Sequence, residues 1–236
     1  MKLAPSTRIK ICGLTREADL DAAVAAGADA VGFVLYAKSP RSVSVQRAAE
    51  LSRRLPPFVT PVLLFVNETP DTIRAACDAI PGAVLQFHGD ETPGQCLAAT
   101  GFGKRAFLRA ARIPPDEIDA HFDLVKYAFD YSAAQAIVLD AQVEGYGGAG
   151  QTFNWSLLPP NVDAHLVLSG GLNAANVADG ILLLRPRCKS LAVDVSSGVE
   201  LSGPGNKGLK DPEKIHQFVA AVRAADQQFA ELSKNV

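Results

Sequence analysis

Short apolar runs alternate with longer mixed stretches along most of this chain. The runs are Arg8–Gly13, Ala30–Tyr36, Pro61–Val66, Val84–His88, Arg105–Arg109, Ile137–Ala141, Leu166–Ser169 and Leu191–Ser196. They are built from Val, Ile, Leu, Phe and Ala and are bounded by Gly, Pro, Asn or Asp. They lack the polar alternation of a strand with one wet face, so they are predicted as strands buried on both sides. Helix-length segments lie between them. Thr15 is placed to cap the first, with Glu17 and Asp19 in its opening turn and Gly27 as its stop. Further helices are expected over Val45–Leu55, Thr69–Ala79 with Pro70 at the first position, Glu91–Thr100, Pro115–Phe122, Asn173–Ala178 and Asp211–Phe229. Around Phe153–Leu158 there is room for only a few turns.

Strand ends recur about every 26 residues, the length of a βα unit closed by a right-handed crossover. Repeated across residues 1–236, that unit predicts a single α/β domain, a (β/α)8 TIM barrel. A doubly wound open sheet is the rival, but no G-x-G-x-x-G turn follows the first strand. No linker or composition break marks a second domain.

Composition narrows the class. The chain of 236 residues is 48% hydrophobic and carries a formal net charge of −2, which excludes global disorder. A chain of this mass buries about 70% of its extended surface, so the core needs no metal or disulfide staple. There is no basic stripe for nucleic acid. The longest apolar stretches, Pro61–Val66 and Ile181–Leu184, fall far short of a membrane span. The start, MKLAPSTRIKIC, lacks an apolar signal core. Cys12, Cys77, Cys96 and Cys188 fit no metal-ligand spacing and are expected to be free thiols in a reducing cytoplasm. Composition does not distinguish a monomer from a homodimer.

In a barrel, chemistry gathers where strands end and βα loops begin. Lys10 and Cys12, two apart, share one face of the first strand, with Ile9 and Ile11 on the other. A buried lysine calls for a functional mouth or a local ion pair. Cys12 is either a core thiol or, if nearby positive charge lowers its pKa, a base or nucleophile; Lys10 is one source of that charge. Lys38 and Arg41, beside Pro40, either recognise an anion or are solvated surface charge. Gln86 and His88 share an inner face, as ligand contacts or as hydrogen-bonded filling. Asp140 ends an apolar strand, where an ionised unpaired carboxylate costs several kcal/mol, so it needs a partner or a task. Gly145, Gly147, Gly148 and Gly150 follow it in a loop expected either to move or to wrap a ligand. Strands seven and eight end in Gly170–Gly171 and in Ser196, Ser197 and Gly198, small residues that expose backbone N–H groups to a phosphate. Asp194, inward beside them, is expected to hold something positive or neutral.

These motifs together carry a resemblance. K-I-C-G-L-T, S-P-R-S-V at 39–43, L-Q-F-H-G at 85–89, L-D-A at 139–141, G-Y-G-G-A-G-Q-T-F-N-W at 145–155, L-S-G-G-L-N at 168–173 and D-V-S-S-G-V-E at 194–200 occur in order. The set resembles the phosphoribosylanthranilate isomerases, whose barrel enzymes act in tryptophan biosynthesis. The resemblance implies an Amadori rearrangement of N-(5-phosphoribosyl)anthranilate to 1-(2-carboxyphenylamino)-1-deoxyribulose 5-phosphate, with no metal and no cofactor. It implies Cys12 as general base and Asp140 as general acid. It implies Arg41 facing the anthranilate, and Gly170, Gly171, Ser197 and Gly198 holding the phosphate. Lys10, Gln86, His88 and Asp194 complete the expected substrate contacts. The only partner expected is this small phosphorylated substrate, with neither nucleic acid nor membrane. Ala149, Gln151 and Asn154 stand where relatives commonly have Thr, Lys and Asp. Ser42 stands where an aromatic residue is frequent, and Gly203–Gly208 is longer than the usual link. A metal-dependent epimerase would want more than His88 as a ligand, and a Schiff-base aldolase would want a lysine nearer a strand end than Lys10. A barrel that only binds phosphate would need neither Cys12 nor Asp140.

Overall fold

A computed structural model of the chain describes residues 6–114, 122–142 and 152–232. Eight parallel strands close into a barrel: β1 (Arg8–Cys12), β2 (Ala30–Val34), β3 (Thr60–Phe65), β4 (Val84–Phe87), β5 (Phe107–Ile113), β6 (Ala136–Ala141), β7 (Val162–Leu168) and β8 (Cys188–Val195). Each pairs with its neighbour in sequence, and β1 pairs with β8. The helices are α1 (Glu17–Ala26), α2 (Val45–Ser52), α3 (Pro70–Ala79), α4 (Pro93–Ala99), α5 (Leu124–Asp130), α6 (Val177–Leu184) and α7 (Pro212–Leu232). A single 3-10 turn, Trp155–Leu157, occupies the short sixth unit.

Strand alternation divides the apolar residues into two regions. Ile9, Ile11, Phe33, Phe65 and Phe87 face the helices and are fully buried with them. Each such side chain contributes about 1.5–3 kcal/mol. The inner face carries a layer of Ala110, Val138 and Val167, and, on the opposite wall, Cys12, Val34, Leu64 and Val66. Lys10, Gln86, Asp140 and Asp194 are buried polar residues on the same inner positions. Ala110, Val138 and Val167 lie one inward step below Asp140, whereas Lys10 lies one step below Cys12 and Gln86 is level with Leu64, so polar and apolar side chains share the upper layers.

Local chemistry sets the ends. Ser44, Thr69, Thr92 and Asp123 cap α2, α3, α4 and α5 by accepting from backbone N–H groups, each cap stabilising by about 1 kcal/mol. Gly27 stops α1 in left-handed geometry, as expected. Thr15 does not cap that helix: Arg16 holds the N-cap position without a side-chain bond there, and its guanidinium instead binds Asp19. β5 is longer than read, because Pro114, not Arg109, ends it. The helix expected over Pro115–Phe122 falls almost wholly outside the described residues, and α5 begins after it, behind Asp123. The helix expected at Asn173–Ala178 lies further on, over Val177–Leu184, where Val177, Ile181 and Leu184 form one buried face. β7 and β8 start earlier than their apolar cores suggest, at Val162 and Cys188, with a register irregularity between Val162 and His165.

Candidate active site

The ends of β1, β8, β7 and β6 lie side by side, because the barrel closes between its last strand and its first. Cys12 ends β1 and Asp140 lies one residue from the end of β6, both on the inner face and both buried. Gly32 on β2 stands opposite Cys12 in register and has no side chain where one would meet it. A Cβ there would sit 2.6 Å from Cys12 Sγ and 3.1 Å from Lys10 Cε.

Lys10 Nζ donates to Asp194 Oδ2 at 2.7 Å, with both side chains buried. Of the two readings open for Lys10, the ion pair is therefore made, and Asp194 holds a cation. Burial pulls the lysine's pKa down, but Asp194 and Cys12 outweigh it and the net direction is up. Asp194 Oδ1 is buried without a hydrogen-bond partner among the described residues, a free acceptor at the mouth. Of the two readings open for Cys12, the condition set for a base, a thiol held below its ordinary value, is not met in the resting site. Burial pushes its pKa up, Lys10 opposes that most strongly, and Asp194 adds to the rise.

On the far wall Asp140 Oδ2 lies 2.8 Å from His88 Nε2, and Asp140 Oδ1 accepts from the Ala141 N–H at 3.0 Å. Gln86 Nε2 lies 3.1 Å from His88 Nδ1. The three side chains expected as separate contacts thus form one buried chain. Arg109, which sequence placed at a strand end, faces away from this site. It donates to the Phe87 and Gly89 carbonyls, pairs with Glu91 and lies over the Tyr131 ring.

Arg41 is buried and gripped bidentately by Glu200, at 2.6 Å from Nε and 3.1 Å from Nη2. Lys210 Nζ reaches the same carboxylate at 3.1 Å and the Ser196 carbonyl at 2.9 Å. Burial raises the Glu200 pKa, but Arg41 and Lys210 overcome it and the carboxyl lies below its ordinary value. Burial, with help from Arg41, holds Lys210 below its own. Glu200 and Lys210 were not singled out from sequence. The long Gly203–Gly208 segment returns the chain so that these two residues face each other across an antiparallel bridge.

The glycine-rich ends of β7 and β8 meet. A Cβ on Gly198 would lie 1.9 Å from the Leu172 carbonyl oxygen, so no side chain fits there. Gly170 abuts Asp140, while Ser196 Oγ donates to the Cys12 carbonyl at 3.0 Å. The N–H groups of Gly170, Gly171, Ser197 and Gly198 donate to no acceptor among the described residues. The loop with Gly145, Gly147, Gly148 and Gly150, and with Ala149 and Gln151, lies outside the described residues.

A parallel barrel with free N–H groups at the ends of strands seven and eight, flanked by a thiol and a hydrogen-bonded carboxylate, defines an acid–base enzyme of the phosphosugar-binding (β/α)8 class. Residues 9–221 match the family model described as N-(5'phosphoribosyl)anthranilate (PRA) isomerase. The chain is similar to N-(5'-phosphoribosyl)anthranilate isomerase of Methylibium petroleiphilum, with 61% identity over 95% of this chain and 97% of that one. The Leptothrix cholodnii protein of the same name is 56% identical, with 99% of both chains covered. Among solved structures, phosphoribosyl anthranilate isomerase from Thermotoga maritima superposes with a TM-score of 0.78 and 38% identity, over 92% of this chain and 99% of that one. Another, solved in complex with reduced 1-(o-carboxyphenylamino)-1-deoxyribulose 5-phosphate, gives 0.75 and 36% over the same shares. The chain belongs to the phosphoribosylanthranilate isomerase family, and its reaction is the isomerisation of phosphoribosylanthranilate in tryptophan biosynthesis.

Proposed function

We propose that Cys12 and Asp140 carry out this isomerisation as base and acid, with the phosphate held between them by the ends of β7 and β8. The carrying observation is the order around the mouth. Cys12 on β1 borders β8 through Ser196, β8 contacts β7 through Gly198, and Gly170 after β7 abuts Asp140 on β6. A substrate anchored by its phosphate at the centre of that arc has its sugar flanked by a group from either side.

Asp140 gives its proton to the ribose ring oxygen as the C1–O bond breaks, and the anthranilate nitrogen lone pair forms the C1=N bond of a Schiff base. The Cys12 thiolate then takes the proton from C2, and those electrons neutralise the iminium as an enolamine. Tautomerisation of that enolamine to the ketone returns a proton to C1 and yields 1-(2-carboxyphenylamino)-1-deoxyribulose 5-phosphate. Lys10, held by Asp194, is the cation that favours the thiolate. Asp194 Oδ1 offers an acceptor to a sugar hydroxyl. Arg41, fixed in place by Glu200, faces the anthranilate. The four free cysteines support the reading of a reducing, cytoplasmic setting.

The test is loss of anthranilate-type fluorescence from freshly generated phosphoribosylanthranilate, beyond its spontaneous hydrolysis, with the product identified. C12A and D140N are each expected to cut turnover by roughly 10²–10⁴-fold with unchanged melting curves. Near-normal turnover in either removes that residue from the mechanism.

A further inference from the structure

Gln86 is completely buried, yet its Oε1 has no hydrogen-bond partner among the described residues. Leaving such a group unpaired costs about 1–3 kcal/mol, so the amide is poor filling for a barrel interior. Its other end lies 3.1 Å from His88 Nδ1, and His88 Nε2 lies 2.8 Å from Asp140 Oδ2. An amide has one end that donates and one that accepts, and a half-turn of its last torsion exchanges them. With the nitrogen toward the ring, the Nδ1 lone pair accepts, Nε2 carries the hydrogen, and Asp140 is the carboxylate that receives it. With the oxygen toward the ring, Nδ1 carries the hydrogen, and Nε2 is free to accept from a protonated Asp140.

We propose that Gln86 is a positioning residue for the acid step, setting through the His88 tautomer whether Asp140 holds or has lost its proton. This rests on the assignment of Asp140 as the acid. The pair gains and loses one proton without losing a hydrogen bond, because Gln86 serves both forms. Among the described residues, the charges that neighbouring strands bring near the imidazole are each paired with another side chain. Leu64 on β3 and Leu108 on β5 flank Gln86 in register. Arg112 on β5, in register with Asp140, is engaged with Asp90, and Arg109 is engaged with Glu91. Within the barrel, Lys10 is bound to Asp194. Among the described residues, the remaining ionisable group on the inner face, Cys12, is on β1.

Two variants separate this role from packing. Q86E, as a carboxylate, offers only acceptors to the ring, holds the hydrogen on Nδ1, leaves Nε2 to accept from a protonated Asp140 and adds a negative charge that favours the same form. Q86M offers no partner and removes the donor that keeps Nε2–H directed at the carboxylate. The limb on which kcat falls as Asp140 deprotonates is therefore expected to move to higher pH in both variants, further in Q86E than in Q86M, with KM changed by less than about threefold. Nitrogen NMR of histidine-labelled free enzyme, with His88 assigned by its loss in H88N, is expected to show one Nε2–H tautomer near neutral pH in the wild type and a mixture in Q86M. A shift to lower pH in either variant, no shift, or a loss of kcat equal at every pH would overturn the proposal. So would a wild-type spectrum without the Nε2–H tautomer, which needs neither variant to fold. Failure of D140N to lose activity would instead strike the acid assignment, and the spectrum would still decide what Gln86 holds.

Discussion

Replacing Gly32 with alanine isolates the placement of the base from its chemistry. The glycine does not have positive φ, so alanine fits its backbone, and in the unfolded chain the substitution alone would favour folding by about 0.4–1 kcal/mol. The added methyl, however, would lie 2.6 Å from Cys12 Sγ, 3.1 Å from Cys12 Cα and 3.1 Å from Lys10 Cε. Its own backbone cannot retreat, because the Gly32 carbonyl accepts from both the Gly13 and Leu14 N–H groups, at 2.9 and 3.1 Å. The sulfur must give way by about 1 Å to restore ordinary contact, and a displacement of that size costs about 10²-fold in rate, or nearly 3 kcal/mol in the barrier. Overpacking adds about 1–3 kcal/mol of destabilisation. Steady-state fluorescence kinetics should show kcat down about a hundredfold with KM little changed, since the phosphate site proposed above lies at the ends of β7 and β8. Thermal melting should show a folded protein. A G32A enzyme with kcat within about threefold of wild type, alongside an inactive C12A, would refute the close positioning inferred for the thiol.

Lys10 lowers the Cys12 pKa and Asp194 raises it. K10M should therefore move the onset of Cys12 alkylation by iodoacetamide to higher pH and D194N to lower pH, and shifts of the same sign would contradict the arrangement. K10M leaves Asp194 buried without its cation and should also lose about 3–5 kcal/mol of stability in denaturant titrations. Glu200 lies below its ordinary value of 4.5; its contribution is present above that pH and is lost as pH falls through the folded-state value. E200Q should melt several degrees lower than wild type at pH 7, and the gap should narrow toward pH 3; an equal gap at both would show that the charge contributes nothing.

The barrel was legible because strands buried on two faces announce themselves as apolar runs, and β1 to β4 fall within two residues of their predicted bounds. The errors cluster where polarity and structure disagree. Ala110, Ala111 and Arg112 read as a loop, yet they extend β5 until Pro114 stops it. Asp163, His165, Lys189 and Ser190 lie at the wet starts of β7 and β8, where pairing persists without apolar side chains. The run Ile181–Leu184 was noticed only for being apolar, although with Val177 it has the spacing of a buried helix face. Cys12, Asp140, His88 and Asp194 stood out in the sequence because a polar residue ending an apolar strand is conspicuous. Glu200 did not, since its meaning lies in Arg41, 159 residues away. Gly32 was silent because its contribution is an absent side chain, which only the register with Cys12 makes visible.

The pairing of Lys10 with Asp194 joins residues 184 positions apart, and it seals the seam between the first strand and the last. A ribosome adding about 5–20 residues per second exposes Lys10 for roughly ten to forty seconds before its counterion exists. Throughout that interval β1 has no β8 to pair with, and its lysine cannot enter an apolar interior without heavy cost. The nascent barrel is thus held open by its own charge, and closure waits for the strand that carries Asp194. A chain that ends before Asp194 has strands and helices enough for most of a barrel, but it lacks the group that lets the first strand go inside.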